Sequence, residues 1–158
     1  MTPSQRRASA VAIATALAAP AEGLRQYAYR DPVGIPTICF GSTKGVQMGD
    51  TKTVEECKAL LTKEMLDAVS RVDTCRPGLP INVLAAFSDA AYNMGPTIAC
   101  DTSKSTAAKL LSTGRYYEAC DQLLRWDKAR VAGVLVTMPG LTKRREMERK
   151  VCIGEVAG

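Results

Sequence analysis

Residues 22–43 read EGLRQYAYRDPVGIPTICFGST, which sets Glu22 and Asp31 nine positions apart and Thr37 six further on. This stretch has no helical period. Between positions 23 and 50, Gly23, Gly34, Gly41, Gly45 and Gly49 alternate with Pro32, Pro36 and β-prone pieces such as YAY and TICF. Breakers at that density predict a small hairpin or three-stranded sheet. The run before it, ASAVAIATALAAPA at 8–21, is uncharged and predicts a helix that stops at Glu22. Apolar neighbours at the helix end would suit Glu22 to general-acid work, while Asp31, in a polar turn beside Arg30, is placed to stay ionised. Thr37 supplies a hydroxyl that can hold a water near Asp31.

The chain has no histidine. Serine–histidine and cysteine–histidine nucleophile systems therefore lack a member, and so do most zinc sites. Carboxylates, hydroxyls, thiols and ammonium groups remain, and two carboxyl groups with divided roles are what glycosidic bond cleavage requires. Six cysteines stand at 39, 57, 75, 100, 120 and 152, with no CxxC among them. Dispersed and even in number, they read as up to three disulfides in an oxidising compartment, with fifteen connectivities open. No metal or organic cofactor is called for.

A net charge of +5 favours polyanionic partners without choosing among them. Only 5% of the residues are aromatic and the cations are dispersed, which argues against a nucleic-acid-binding module. At the N-terminus, Arg6 and Arg7 precede the apolar run, the shape of a secretory signal. As a helix the run would span roughly 21 Å, short of the ~30 Å of a bilayer core. Residues 1–21 are thus expected to be a signal-anchor-like segment that is retained and folds as the first helix, ahead of a domain at 22–158.

Thr53-x-x-Glu56 forms a capping box that opens a helix to about residue 73, with Val54, Cys57, Leu61, Leu66, Val69 and Val72 facing inward. A second helix covers Ile81–Met94 and stops at Gly95. Shorter helices follow, one capped by Ser105 and ending near Gly114 and one over Arg115–Trp126. A basic helix from Gly140 closes the chain, and its Lys143, Arg144 and Arg145 read either as a solvated face or as a site for phosphates or anionic wall polymers. Glu64, Asp67 and Asp73 are expected as solvated charges, and Trp126 as a core residue. The class is α+β: a small β-containing lobe, then a larger helical lobe, with a cleft between them.

The spacing Glu-x8-Asp-x5-Thr resembles the catalytic triad of the phage-type lysozymes, glycoside hydrolase family 24. EGLR, AYNMG at 91–95, LLRW at 123–126 and GLTKRREMER at 140–149 agree with it in order, over roughly residues 20–153. Together with the apolar N-terminus and the cysteines, the chain is most similar to signal-arrest-release endolysins of phages that infect Gram-negative bacteria. The resemblance implies a lysozyme-like fold and a monomeric muramidase acting on peptidoglycan in the host periplasm. It implies that Glu22 is the general acid, that Asp31 works with Thr37, and that Tyr92 and Asn93 contact sugar. It implies the pairs Cys39–Cys57, Cys75–Cys100 and Cys120–Cys152, and an N-terminal segment first tethered in the inner membrane. The family's usual Gly-His-Thr is Gly41-Ser42-Thr43 here, so a histidine salt bridge must be replaced. With no cysteine before Cys39, a thiol switch in the N-terminal segment is not expected. Two rivals stand beside this reading: a lytic transglycosylase cutting the same bond, and a non-catalytic basic binding protein.

Overall fold

The computed structural model describes residues 1–155, so the last three positions of the expected 22–158 domain lie outside the described residues. Helix α1 spans Pro3–Glu22. Thr2 caps it in a reciprocal box with Gln5, and Pro3 needs no amide partner in the first turn. Its buried face is Ala10, Val11, Ala14 and Ala18. Such small side chains let its backbone lie close against α3 (Ile81–Met94), whose Ala85, Ala86 and Ala90 are fully buried. No helix among the described residues is long and apolar enough to cross a membrane.

α3 is the centre of the molecule, buried from Val83 to Ala91 and packed by α1, by α2 (Val54–Cys75) and by the C-terminal helix. The Thr53–Glu56 box opens α2 as the sequence predicts. Its buried stripe runs through Cys57, Leu61, Met65, Ala68, Val69 and Val72, and Leu66 is exposed rather than inward. The reason is helical phase: Met65 lies one turn beyond Leu61, and its neighbour sits about 100° away.

Strands β1 (Arg25–Arg30) and β2 (Pro36–Cys39) form an antiparallel pair. Of the two expected forms, the hairpin is the one present. Single bridges from Tyr27 to Thr51 and from Ile38 to Ser42 extend it without a third strand.

Short helices α4 (Thr97–Cys100), α5 (Thr106–Ser112, capped by Ser105) and α6 (Tyr116–Gln122) follow. The helix expected over Arg115–Trp126 tightens into a 3-10 turn at Leu123–Arg125, and Trp126 packs against the core. Beyond it lies a second hairpin that the sequence reading left unassigned, β3 (Lys128–Val131) and β4 (Val134–Thr137). Ala132 and Gly133 both adopt positive φ at its tip, as a tight two-residue hairpin turn requires.

The closing helix α7 (Pro139–Cys152) departs most from expectation. Arg144, Arg145 and Glu148 are buried against α3 instead of solvated, and Lys143 stays exposed. The departure has a physical cause. α3 presents Asp89, Asn93 and Met94 to the two guanidinium groups, so their hydrogen bonds are met inside the protein.

Three disulfides join the layers: Cys39–Cys57 ties β2 to α2, Cys75–Cys100 ties α2 to α4, and Cys120–Cys152 ties α6 to α7. Closing loops of 18, 25 and 32 residues stabilises the fold by about 3–4 kcal/mol each in the chain-entropy account.

At the other end of α1, Arg6 and Arg7 both pair with Asp73 of α2, at 2.5 and 2.8 Å, so Asp73 is not a solvated charge. Burial works against its ionised form, but hydrogen bonds from Arg7 and Arg6 outweigh that and hold the carboxyl below its usual range. A lowered folded-state pKa adds stability above the unfolded value, about 3.9, and the addition fades as pH falls through the lowered value. Asp73→Asn should therefore lower the melting temperature near pH 7 by about 2–8 °C, from about 1–2 kcal/mol. Melting curves across pH should show the gap to the parent protein closing below about pH 4.

Candidate active site

A cleft of about 780 Å³ opens between the loop that follows β2, at residues 41–45, α2 and the end of α3, and Glu22 stands in its wall. Glu22 is the last residue of α1, and Gly23, at φ 74°, turns the chain out toward β1. Its side chain is 23% exposed. The expected apolar surroundings are not what it meets. Glu22 Oε1 accepts a hydrogen bond from Arg144 Nη1 at 2.6 Å. Gly41 covers the other oxygen: a Cβ built there would lie 2.8 Å from Oε2, and the residue's φ is 88°. Only glycine meets both conditions without displacing the carboxyl group.

Arg144 is the residue the sequence reading missed. Its Nε and Nη2 donate to Asp89 Oδ2 and Oδ1 at 3.0 and 2.8 Å, a two-pronged pair inside the core, while Nη1 reaches Glu22. Burial disfavours its charge, yet the hydrogen bonds and charge of Asp89, and then of Glu22, push its pKa above the ordinary value. It is a fixed cation.

Next to it, the fully buried Arg145 donates to Met94 Sδ and to Asn93 Oδ1 at 2.8 and 2.9 Å. It also donates to Glu148 Oε2 at 2.8 Å. The Glu148 carboxyl is pushed well above its usual range, by burial first and then by Asp89, against the pull of Arg145. Arg145 Nε also lies 2.5 Å from Glu148 Oε1, so the two side chains face each other as a pair inside the core.

Tyr92 and Asn93 both line the cleft. The Tyr92 hydroxyl donates to Phe40 O at 3.1 Å. Burial raises its pKa, helped by the negative charges of Glu64 and Glu22, so it remains a neutral phenol. The Ser42 hydroxyl donates to a Glu64 carboxylate oxygen. That hydrogen bond links the loop after β2 to α2, and it makes Glu64 a wall residue of the cleft rather than a free surface charge. Asp67 lines the same wall and is exposed.

Asp31 and Thr37 lie on the first hairpin and are not among the residues that line this cleft. Asp31 Oδ1 accepts from the amides of Val33 and Ile35, both at 2.9 Å, and Arg30 donates to Gly34 O instead of to Asp31. The buried Thr37 hydroxyl donates to Ile35 O at 2.9 Å. Ile35 thus joins the two residues, through its amide to one and its carbonyl to the other. Toward a water, Thr37 keeps its acceptor lone pairs, and Asp31 keeps Oδ2.

The profile of the Phage lysozyme family matches residues 19–148. A SAR-endolysin of Pseudomonas phage phiKMV is 39% identical over 149 residues, covering 93% of this chain and 90% of that one. An endolysin from Escherichia coli O157:H7 phage FAHEc1 superposes with a TM-score of 0.79 at 29% identity, covering 94% and 92% of the two chains. The active form of the P1 phage endolysin Lyz gives 0.77 at 28%, covering 91% and 85%. The fold and the cleft are those of a glycoside hydrolase. The chain belongs to the phage lysozyme family, and its function is that of an endolysin.

Gly41→Ala should force the Glu22 carboxyl aside. Activity is expected to fall by about 10²-fold, as for a misplaced reacting group, with the disulfide-bonded fold retained by circular dichroism. Unchanged turnover would mean that Oε2 does not need its position beside residue 41.

Proposed function

We propose that the protein is a muramidase that hydrolyses the β-1,4 bond between N-acetylmuramic acid and N-acetylglucosamine in peptidoglycan. The observation that carries the reading is the Glu22 carboxyl in the cleft wall, fixed by Arg144 on one oxygen and bordered by Gly41 on the other. With Oε1 held by the guanidinium, Oε2 is the oxygen that delivers a proton to the glycosidic oxygen. Asp31 stabilises the positive charge that develops on the sugar and orients the attacking water, with Thr37 in support. Tyr92 and Asn93 contact the glycan from the floor of the cleft.

The reading extends to the N-terminus. Residues 1–21 export the chain to the host periplasm and hold it first at the inner membrane, and the released monomer docks the same segment as α1. Support comes from the name of the phiKMV relative and from the way α1 is held. Its alanine face packs on α3, and Arg6 and Arg7, the cations of the basic region, pair with Asp73.

Glu22→Gln tests the catalytic assignment. Clearing of outer-membrane-permeabilised cells should drop by about 10²–10⁴-fold, the range for loss of a general acid, at a temperature where circular dichroism finds the variant fully folded. Mass spectrometry of muropeptides released by the parent enzyme should show reducing N-acetylmuramic acid ends. Anhydro ends would instead mark a transglycosylase.

A further inference from the structure

The β3–β4 hairpin exposes apolar side chains on both of its faces. Val134 is 62% exposed, Leu135 56% and Val136 40%, and Val131, the partner of Val134, is 50% exposed. Successive strand residues point to opposite faces, so Val134 and Val136 cover one side and Leu135 the other. A hairpin lying on a protein surface normally keeps its solvent side polar, and exposed apolar edges are ordinarily blunted. This one is not.

The apolar surface continues past the hairpin. Met138 and Met147, both exposed, lead into a cavity of about 660 Å³ between the last turns of α1 and the first turns of α7, with Leu17, Pro20 and Leu141 in its walls. Contiguous apolar surface of this kind marks a site of contact.

Charge says what it contacts. The hairpin's own charged residues are Lys128 and Arg130, both cations. Exposed Lys143 lines the cavity, the one acid in its lining, Glu22, is paired with Arg144 there, and Glu146, the exposed acid of α7, does not line it. Asp127, at the base of the hairpin, accepts from Thr142 at 2.9 Å and lies 3.5 Å from Lys128. Aliphatic side chains flanked by cations suit a surface with an apolar interior beneath an anionic layer. Glycan strands offer no apolar phase. A second copy of the hairpin would bring like charges together.

We propose that the β3–β4 hairpin docks reversibly on an anionic phospholipid bilayer. Val131, Val134, Leu135 and Val136 enter the interface, and Lys128, Arg130 and Lys143 meet headgroup phosphates. This contact is separate from α1 and leaves α1 packed on α3. It would hold the folded enzyme at the membrane face of its compartment.

All cysteines among the described residues are in disulfides, so an introduced cysteine is a unique labelling site. A polarity-sensitive dye on Val134→Cys should shift to the blue with phosphatidylglycerol-containing vesicles. The shift should weaken with added salt and be slight with pure phosphatidylcholine. The same dye on Ala12→Cys, exposed on α1, should not respond. Leu135→Asp should reduce vesicle partitioning by at least about tenfold while activity on purified peptidoglycan is unchanged. A shift at position 12 and not at 134 would overturn the proposal, because α1 would then be the inserting element. So would silence at both positions, equal binding to neutral vesicles, or self-association as the only response.

Discussion

A single guanidinium group holds three helices to one another. Arg144 of α7 grips both carboxylate oxygens of Asp89 on α3 and reaches Glu22 at the end of α1. A charge buried in this way is costly without its partners, and removing one partner of a buried pair commonly costs about 3–5 kcal/mol. Neither α1 nor α7 can therefore lift from α3 without stranding charge. The interaction that completes the core also orients the carboxyl group in the cleft, so fold and site depend on the same few hydrogen bonds.

The rest of the helical lobe serves this arrangement. Alanines on α1 and α3 let the two backbones approach closely. Gly41 gives the loop after β2 room to come up against Glu22, and the Ser42–Glu64 hydrogen bond ties that loop to α2. A second buried pair, Arg145 with Glu148, hydrogen-bonds Asn93 from behind and so braces the cleft wall from the core side. Each buried charge in this interior has a partner of opposite sign or a hydrogen-bonding side chain facing it, which is what makes so many ionisable groups tolerable together.

What the sequence made legible was local. The Thr53–Glu56 box and the bounds of α3 at Ile81 and Gly95 rest on residues within a turn of one another, and the structure has them in place. Glu22 could be singled out because an apolar run ends on it just where breakers begin. Arg144 could not. Its partners lie 55 and 122 residues away, and its own neighbourhood, KRRE, reads as a solvated basic face. Leu66 was misplaced by one position in the helical phase. The second hairpin escaped because Ala132-Gly133 is a weak turn signal beside Asn-Gly or Asp-Gly, although both residues take the positive φ such a turn needs. Gly41 was visible only as one glycine among several. Its role appears once Glu22, nineteen residues earlier in the chain, is seen against it.

The account turns on whether Asp89, Arg144 and Glu22 act as one unit. A double-mutant cycle on kcat/KM with Asp89→Asn, Arg144→Lys and the combined variant measures this directly, at a temperature where calorimetry finds all three folded. Lysine cannot span Asp89 and Glu22 together, and asparagine cannot hold the fork by charge. If the chain of contacts is what positions the acid, each single change removes most of the activity. The double variant then loses little more than the worse single, a coupling of about 0.5–3 kcal/mol. Losses that simply multiply, or full activity in Asp89→Asn, would contradict it.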